Sequence, residues 1–248
     1  MYPKSKVGYW KERSLSSEYQ EAYDNIIKNI PESGSTLLDV GCGTGEILKR
    51  VWKELDYGLL IGCDATYEML KGAMEKLKSE NIPARIERKW DLKLLNSKEV
   101  VLLLEDVSDM QIPKQIADTA LFTFPEIFSN SKKWAGEGKI KNEIRKRGYE
   151  FNDIKKIIKK LMIHRNIADK IKNNGRFISV EYDVQYRNSF LESRVIYNKI
   201  SFAEMISLRL ENAQFFESAK VWSDTEGKLE DFIEEKPGYR IFSMSRVE

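Results

Sequence analysis

With 248 residues, the chain has room for one large or two small domains around a sizeable core. Its 42% hydrophobic and 32% charged residues are the balance of a globular protein, and no apolar run approaches bilayer length, so a membrane span is excluded. The net charge of +2 conceals an asymmetry: residues 126–176 hold 15 Lys+Arg against 6 Asp+Glu, which makes one segment basic on an acidic body.

The opening Met1-Tyr2-Pro3-Lys4-Ser5-Lys6 has no apolar stretch behind its charges, which argues against a signal peptide. Cys42 and Cys63 lack metal-ligand spacing, and the expectation is a reduced, cytoplasmic protein without a bound metal. Residues 1–35 read as an approach segment. Tyr9-Trp10-Lys11-Glu12-Arg13 leads into a predicted helix over about 16–30, with Tyr19, Tyr23, Ile26, Ile27 and Ile30 at helical spacing. Ser16 or Ser17 suits its N-cap, and Pro31 with Gly34 ends it. The helix is expected on the side of a sheet, with Tyr9, Trp10 and Arg13 folding over a ligand as a lid.

Thr36-Leu37-Leu38-Asp39-Val40 is a buried strand by pattern. The glycines Gly41, Gly43 and Gly45 form a tight turn, and Ile47, Leu48, Val51 and Leu55 continue at helical spacing. Glycine suits the turn because it takes positive φ without strain and bares the backbone to a ligand. A second strand, 59–63, ends in Asp64. The helix that follows carries Met69, Leu70, Ala73, Met74 and Leu77 on one face. Strand, turn, helix and strand make a βαβ unit, hence a parallel sheet with right-handed connections. A dinucleotide fingerprint would need its third glycine at 46, where this chain has Glu46. Carboxylates at 39 and 46 would repel a pyrophosphate and suit a positively charged ligand, so the phosphate-cradling reading fails on charge.

Leu37-Leu38-Asp39-Val40-Gly41-Cys42-Gly43-Thr44-Gly45 resembles the first motif of the class I S-adenosylmethionine-dependent methyltransferases, and Asp64 stands where that family has its second-strand acid. The resemblance implies a Rossmann-like α/β three-layer sandwich: a seven-stranded, mostly parallel sheet with an antiparallel terminal hairpin, spanning 36–248. It also implies S-adenosyl-L-methionine as cofactor. Asp39, Gly41, Cys42 and Gly43 would hold its methionine part, Asp64 both ribose hydroxyls, and Ala65 and Met69 would line the adenosine. For the acid that meets the adenine amino group two places compete. Asp91 follows the polar run 82–90, at the family's usual distance from Asp64. Asp106 follows the continuously apolar 100–104, as a strand covered on both faces should read. Asp106, with Val107 beside it, is assigned, Asp91 is the alternative, and 81–98 is expected as an insertion, helical around Ile86, Trp90 and Leu94.

The fourth strand, 119–124, ends at Phe124-Pro125-Glu126, where ligands bind in open parallel sheets, so Phe124 and Glu126 face the expected reaction site. Residues 126–152 form a second expected insertion. Beyond Asn152-Asp153 the spacing of Ile154, Ile157, Ile158, Leu161, Ala168 and Ile171 predicts a helix ending at Asn173-Asn174-Gly175. His164 lies on that face, either as a packed helix histidine or as a catalytic base reaching the pocket. A fifth strand over 176–182 presents Glu181 and Tyr182 at its end. A helix over 202–210 and closing strands over 213–222 and 239–247 complete the chain.

The implied reaction is in-line methyl transfer to a nucleophilic atom, which needs alignment and a dry pocket and calls for a base only when the acceptor must lose a proton. The first expectation is an enzyme acting on a small molecule, an anionic one fitting the basic segment. The second is methylation of RNA or a protein docked on 126–176, with steep salt dependence in the RNA case. The third is a non-catalytic S-adenosylmethionine-binding protein.

Overall fold

The computed structural model describes residues 8, 10, 12, 14–91, 98–123, 163, 166–183, 216–223 and 238–246, with side-chain surroundings up to residue 180. Eight strands form one sheet: β1 (Ser33–Val40), β2 (Asp56–Asp64), β3 (Ala84–Glu87), β4 (Val100–Leu104), β5 (Ala117–Thr123), β6 (Ile171–Asp183), β7 (Phe216–Ser223) and β8 (Gly238–Arg246). The helices α1 (Ser17–Asn29), α2 (Glu46–Glu54) and α3 (Tyr67–Ser79) precede and connect the first of them. The strand order is β3-β4-β2-β1-β5-β6-β8-β7, parallel from β3 to β6, with β8 antiparallel to both β6 and β7.

Period-two alternation in the central strands builds two cores. Leu37, Leu60, Leu102 and Leu121 face α1–α3, where they meet Ile26, Leu48, Leu70 and Leu77. Leu38, Ile61, Val101, Leu103 and Phe122 face the other way, against Ile112, Ile163 and Ile167. Strands buried on both faces read as continuous apolar runs, and this is why β4 stood out in the sequence. The chain leaves β1 towards β2 and returns to its other side as β5. The switch in direction lies at the carboxyl end of β1, where doubly wound sheets open a crevice.

The sheet has one strand more than the expected seven. The added strand is β3, in the stretch expected to be helical around Ile86. Asn81, at φ 56°, turns the chain straight after α3, and Ala84–Glu87 pairs in parallel with Val100–Leu103. Arg85 holds Glu99 at 2.9 Å. This is an edge strand, and charged side chains such as Arg85 and Glu87 are what protect an open edge. The same polarity argued against a strand when the sequence was read alone. A second correction concerns the helix expected to run through Ile171. Helical residues end at Ala168, Asp169 and Lys170 form a turn, and β6 begins at Ile171 opposite Ala117. Ile171 stays in the same core as Ile167, but from a strand, so the apolar spacing ran on past the helix.

Ser16 occupies the N-cap position of α1 with extended backbone and makes no side-chain cap bond. Among the described residues no helix is long and apolar enough to cross a membrane. Tyr9, Arg13, Leu94, Phe124, Glu126, the 126–152 segment, His164 and the helix expected over 202–210 lie outside the described residues, as do the side chains of Glu181 and Tyr182 in β6.

Candidate functional site

The register aligns the carboxyl ends of the central strands. Val40 pairs with Cys63 on β2 and with Phe122 on β5, and Asp64 pairs with Leu104 on β4. One residue beyond Val40, the backbone turns: Gly41, Gly43 and Gly45 have φ of 73°, 53° and 75°. The amides of Gly41 and Cys42 both donate to the carbonyl of Cys63, at 2.7 and 3.0 Å, and the Gly45 amide donates to Cys42 O at 2.9 Å. These bonds pin the turn to β2 from below. Its upper side is open: a Cβ on Gly41 would meet nothing within 4 Å, and one on Gly43 only Gly41 O at 4.0 Å. That is the bare backbone a ligand can approach.

Two carboxylates border this opening. Asp64 receives the Gly43 amide on Oδ2 at 3.1 Å and the Thr66 amide on Oδ1 at 2.9 Å. Burial raises its carboxyl above the ordinary value, against the pull of those two amides. Each oxygen keeps a lone pair for a further donor. Asp39 is 1% exposed, and its Oδ1 has no hydrogen-bond partner. Its register neighbour on β2 is Gly62, which offers no side chain; a Cβ there would lie 2.5 Å from Leu48 Cδ1 and 3.0 Å from Cys42 Sγ. Burial, and then the nearby Asp64 charge, push the Asp39 carboxyl up to about 7. An orphaned buried carboxylate is costly unless a cation or donor arrives to pair it. The Cys42 and Cys63 thiols are both buried and free, and burial raises both of their pKa values.

Glu46 corrects the reason given for excluding a phosphate loop. It does not stand open at the mouth of the turn. It is 5% exposed, with Oε1 2.7 Å from Lys49 Nζ and 3.3 Å from Arg50 Nε, and Oε2 2.8 Å from Lys76 Nζ. Burial pushes its carboxyl up, but the Lys49 and Lys76 bonds outweigh this and hold it below its ordinary value. Arg50 continues the network to Gln20 Oε1 at 2.6 Å and to Asp24, and Gln20 in turn donates to Ser14 O. Asp39 is therefore the acid whose charge is left for a ligand. Of the expected lid residues only Trp10 is described: it is partly buried, packs on the α1–α3 core and meets Tyr19 edge-on at 6.5 Å between ring centres.

Beyond β4, Asp106 is exposed, and its Oδ1 accepts the Ser108 amide at 2.8 Å. Val107 is partly buried beside it against the second core, as is Trp90. Ala65 is exposed and Met69 buried just past Asp64. Asp91 follows β3, one strand further from β2 than the strand preceding Asp106. The structure thus brings Asp39, the glycine turn, Asp64, Ala65, Met69, Asp106 and Val107 to one edge of the sheet. The sequence reading had missed Lys170, Asn166 and Glu105, which hold the loop after β4. Their one sequence signal was a lysine set between Ile167, Ala168 and Ile171.

An open glycine turn, an orphaned acid and a bidentate acid at the switch point of a doubly wound sheet fit a cationic nucleoside. Residues 37–124 match the family model of the methyltransferase domain. No curated protein matches the sequence. Among solved structures, the chain is similar to the N-methyltransferase NodS from Bradyrhizobium japonicum WM9, at 8% identity and TM-score 0.56, covering 95% of this chain and 99% of that one. It is also similar to a phosphoethanolamine N-methyltransferase of Haemonchus contortus (12%, TM-score 0.61, 100% of this chain and 58% of that one). A third is geranyl diphosphate C-methyltransferase from Streptomyces coelicolor A3(2) (11%, TM-score 0.57, 94% and 82%). At such identities the likeness is one of fold. The fold is Rossmann-like α/β, and the matched segment supports a class I methyltransferase. The match over residues 37–124, about a third of the chain, and the fold around it support an S-adenosylmethionine-dependent methyltransferase.

Proposed function

We propose that the chain methylates a small, negatively charged acceptor in the cytoplasm, holding the cofactor across the carboxyl ends of β1, β2 and β4. The observation that carries the cofactor part is the unpartnered, buried Asp39 carboxylate beside an open glycine turn. In this reading the backbone of Gly41, Cys42 and Gly43 cradles the methionine part, and Asp39 balances its positive charge. Asp64 takes the ribose hydroxyls between Ala65 and Met69. Asp106, with Val107, meets the adenine, a role supported by the place of β4 directly beside β2; Asp91 is the alternative. S-adenosylmethionine supplies a methyl carbon already activated on a sulfonium. The residues of the chain bind, align the acceptor and exclude water.

The acceptor is supported by charge. Residues 126–176, basic in sequence, begin after β5, whose carboxyl end lies at the site's edge, and run into the first half of β6. The Haemonchus structure holds phosphomonomethylethanolamine and the Streptomyces structure geranyl-S-thiolodiphosphate, both phosphate-bearing small molecules. Phe124, Glu126, His164, Glu181 and Tyr182 are the candidates to orient or deprotonate the acceptor, with Tyr9, Trp10 and Arg13 closing over the site from the 1–35 segment. Free, buried cysteines suit a reducing compartment.

Tritium transfer from labelled S-adenosylmethionine into fractionated small metabolites, RNA and protein tests the acceptor. Label confined to RNA or protein replaces this reading with docking on the basic segment. Binding without transfer to any fraction makes the chain a non-catalytic cofactor-binding protein. Calorimetry of Asp64→Ala tests the site: a severe loss of cofactor affinity is expected, and unchanged affinity refutes the assignment. Asp106→Ala against Asp91→Ala decides which acid meets the base.

A further inference from the structure

The loop from Glu105 to Ile112 has no regular secondary structure, yet its carbonyls are held from a distant part of the chain. Lys170 Nζ donates to Ile112 O at 2.6 Å and to Met110 O at 3.2 Å, and Asn166 Nδ2 donates to Val107 O at 3.0 Å. Within the loop, Glu105 Oε2 accepts the Gln111 amide at 3.0 Å and Asp106 accepts that of Ser108. Lys170 is 9% exposed, in a turn whose carbonyl also receives the Ile116 and Ala117 amides at 2.8 and 3.0 Å. Burial lowers the Lys170 pKa, opposed by the charges of Asp169 and Glu105. Burying an ammonium beside the second core is costly, and an apolar side chain of similar length would avoid that cost. What the lysine adds is two fixed carbonyls in a loop that would otherwise be free to re-form.

We propose that Lys170, assisted by Asn166, is a positioning residue for the cofactor's base: by fixing the 105–112 loop it sets Asp106 where it selects adenine over other purines. The inference rests on the reading that Asp106 meets the exocyclic amino group. A site built to bond that amino group rejects the analogue that lacks it, because its own polar group is then left unpaired. Selectivity between S-adenosylhomocysteine and S-inosylhomocysteine, in which an oxo group replaces the amino group, therefore reads the loop directly. Overall stability does not enter that ratio.

Both ligands are titrated by calorimetry into the parent, Asp106→Ala, Lys170→Met, Lys170→Arg and Asn166→Ala, with melting curves alongside. The parent is expected to prefer the adenine ligand by about tenfold or more. Asp106→Ala and Lys170→Met should both bring the ratio near one, and Lys170→Arg should restore most of it. Should Lys170→Met fail to fold, Asn166→Ala, which removes only the Val107 bond, should still reduce the ratio by about two- to fivefold. If Lys170→Met or Asn166→Ala weakens both ligands equally while Asp106→Ala abolishes selectivity, the role of Lys170 is refuted and the Asp106 reading stands. If Asp106→Ala leaves selectivity intact, both fall.

Discussion

Asp39→Asn replaces a carboxylate oxygen by an amide where the charge has no partner in the free protein. Burial, aided by the Asp64 charge, raises the folded carboxyl from 3.8 to about 7. Between those values the folded chain holds a proton that the unfolded chain has released, so stability falls as pH rises from about 4 to about 7 and is flat above. A gap of about three units, at about 1.4 kcal/mol each, amounts to about 4 kcal/mol lost by pH 8. The variant carries no such charge at any pH. Urea unfolding without cofactor at pH 4, 6 and 8 should show the stability of Asp39→Asn gaining on the parent by about 4 kcal/mol across the series. Cofactor affinity should change in the opposite sense. In the parent it should rise by up to about tenfold per pH unit towards pH 7, as the carboxylate forms to meet a cationic ligand. In the variant it should be weak and independent of pH over that range. Parallel pH–stability curves for the two proteins would refute the reasoning, because they would mean that Asp39 is charged and already satisfied.

Gly62→Ala puts a methyl group 2.5 Å from Leu48 Cδ1 and 3.0 Å from Cys42 Sγ; the unfolding free energy from urea titration should fall by about 1–3 kcal/mol, and cofactor affinity should fall too because α2 and the turn are pushed off the sheet. Glu46→Gln leaves Lys49, Arg50 and Lys76 without their shared acid. The folded Glu46 carboxyl lies below its ordinary 4.5, so its stabilisation is present above that value and is lost as pH falls through the folded one. The variant should be about 2 kcal/mol less stable at pH 7 and equal to the parent once the parent's carboxyl is protonated, as followed by urea unfolding. Asp118→Ala removes the acceptor of the Thr36 amide and the partner of Lys172, both at 2.8 Å, and should cost about 1 kcal/mol. Asp118 sits near the amino end of β5, away from the glycine turn, so calorimetry should find cofactor affinity unchanged.

The first half of the fold was legible because its signals are local. An apolar strand, positive-φ glycines and a helical repeat lie within twenty residues of one another at Leu37–Leu55, and Asp64 follows from strand length. β3 was not legible, since an edge strand of four residues carries charges for a reason that lies in the sheet and not in its own period. Glu46 read as a free charge because Lys76, its partner on α3, is thirty residues away. Lys170 was not legible because the carbonyls it serves are 58 and 60 residues upstream. Asp118 serves the fold: its partners, the Thr36 amide and Lys172, lie towards the opposite end of the strands from the glycine turn.

The order in which the last strands enter the sheet has a consequence during synthesis. β8 lies between β6 and β7, so β7, made earlier, has no place in the sheet until residues 238–246 have left the ribosome. Until then the outer edge of β6, from Arg176 to Asp183, offers eight residues of unpaired backbone to any extended segment nearby. A nascent chain that already carries its glycine turn, its acids and both cores is still open at that seam, and β7 and β8 must close it together as a hairpin. Arrest or truncation before residue 238 is therefore expected to favour aggregation through β6, while the glycine turn and Asp64, made more than a hundred residues earlier, keep their place in the sheet.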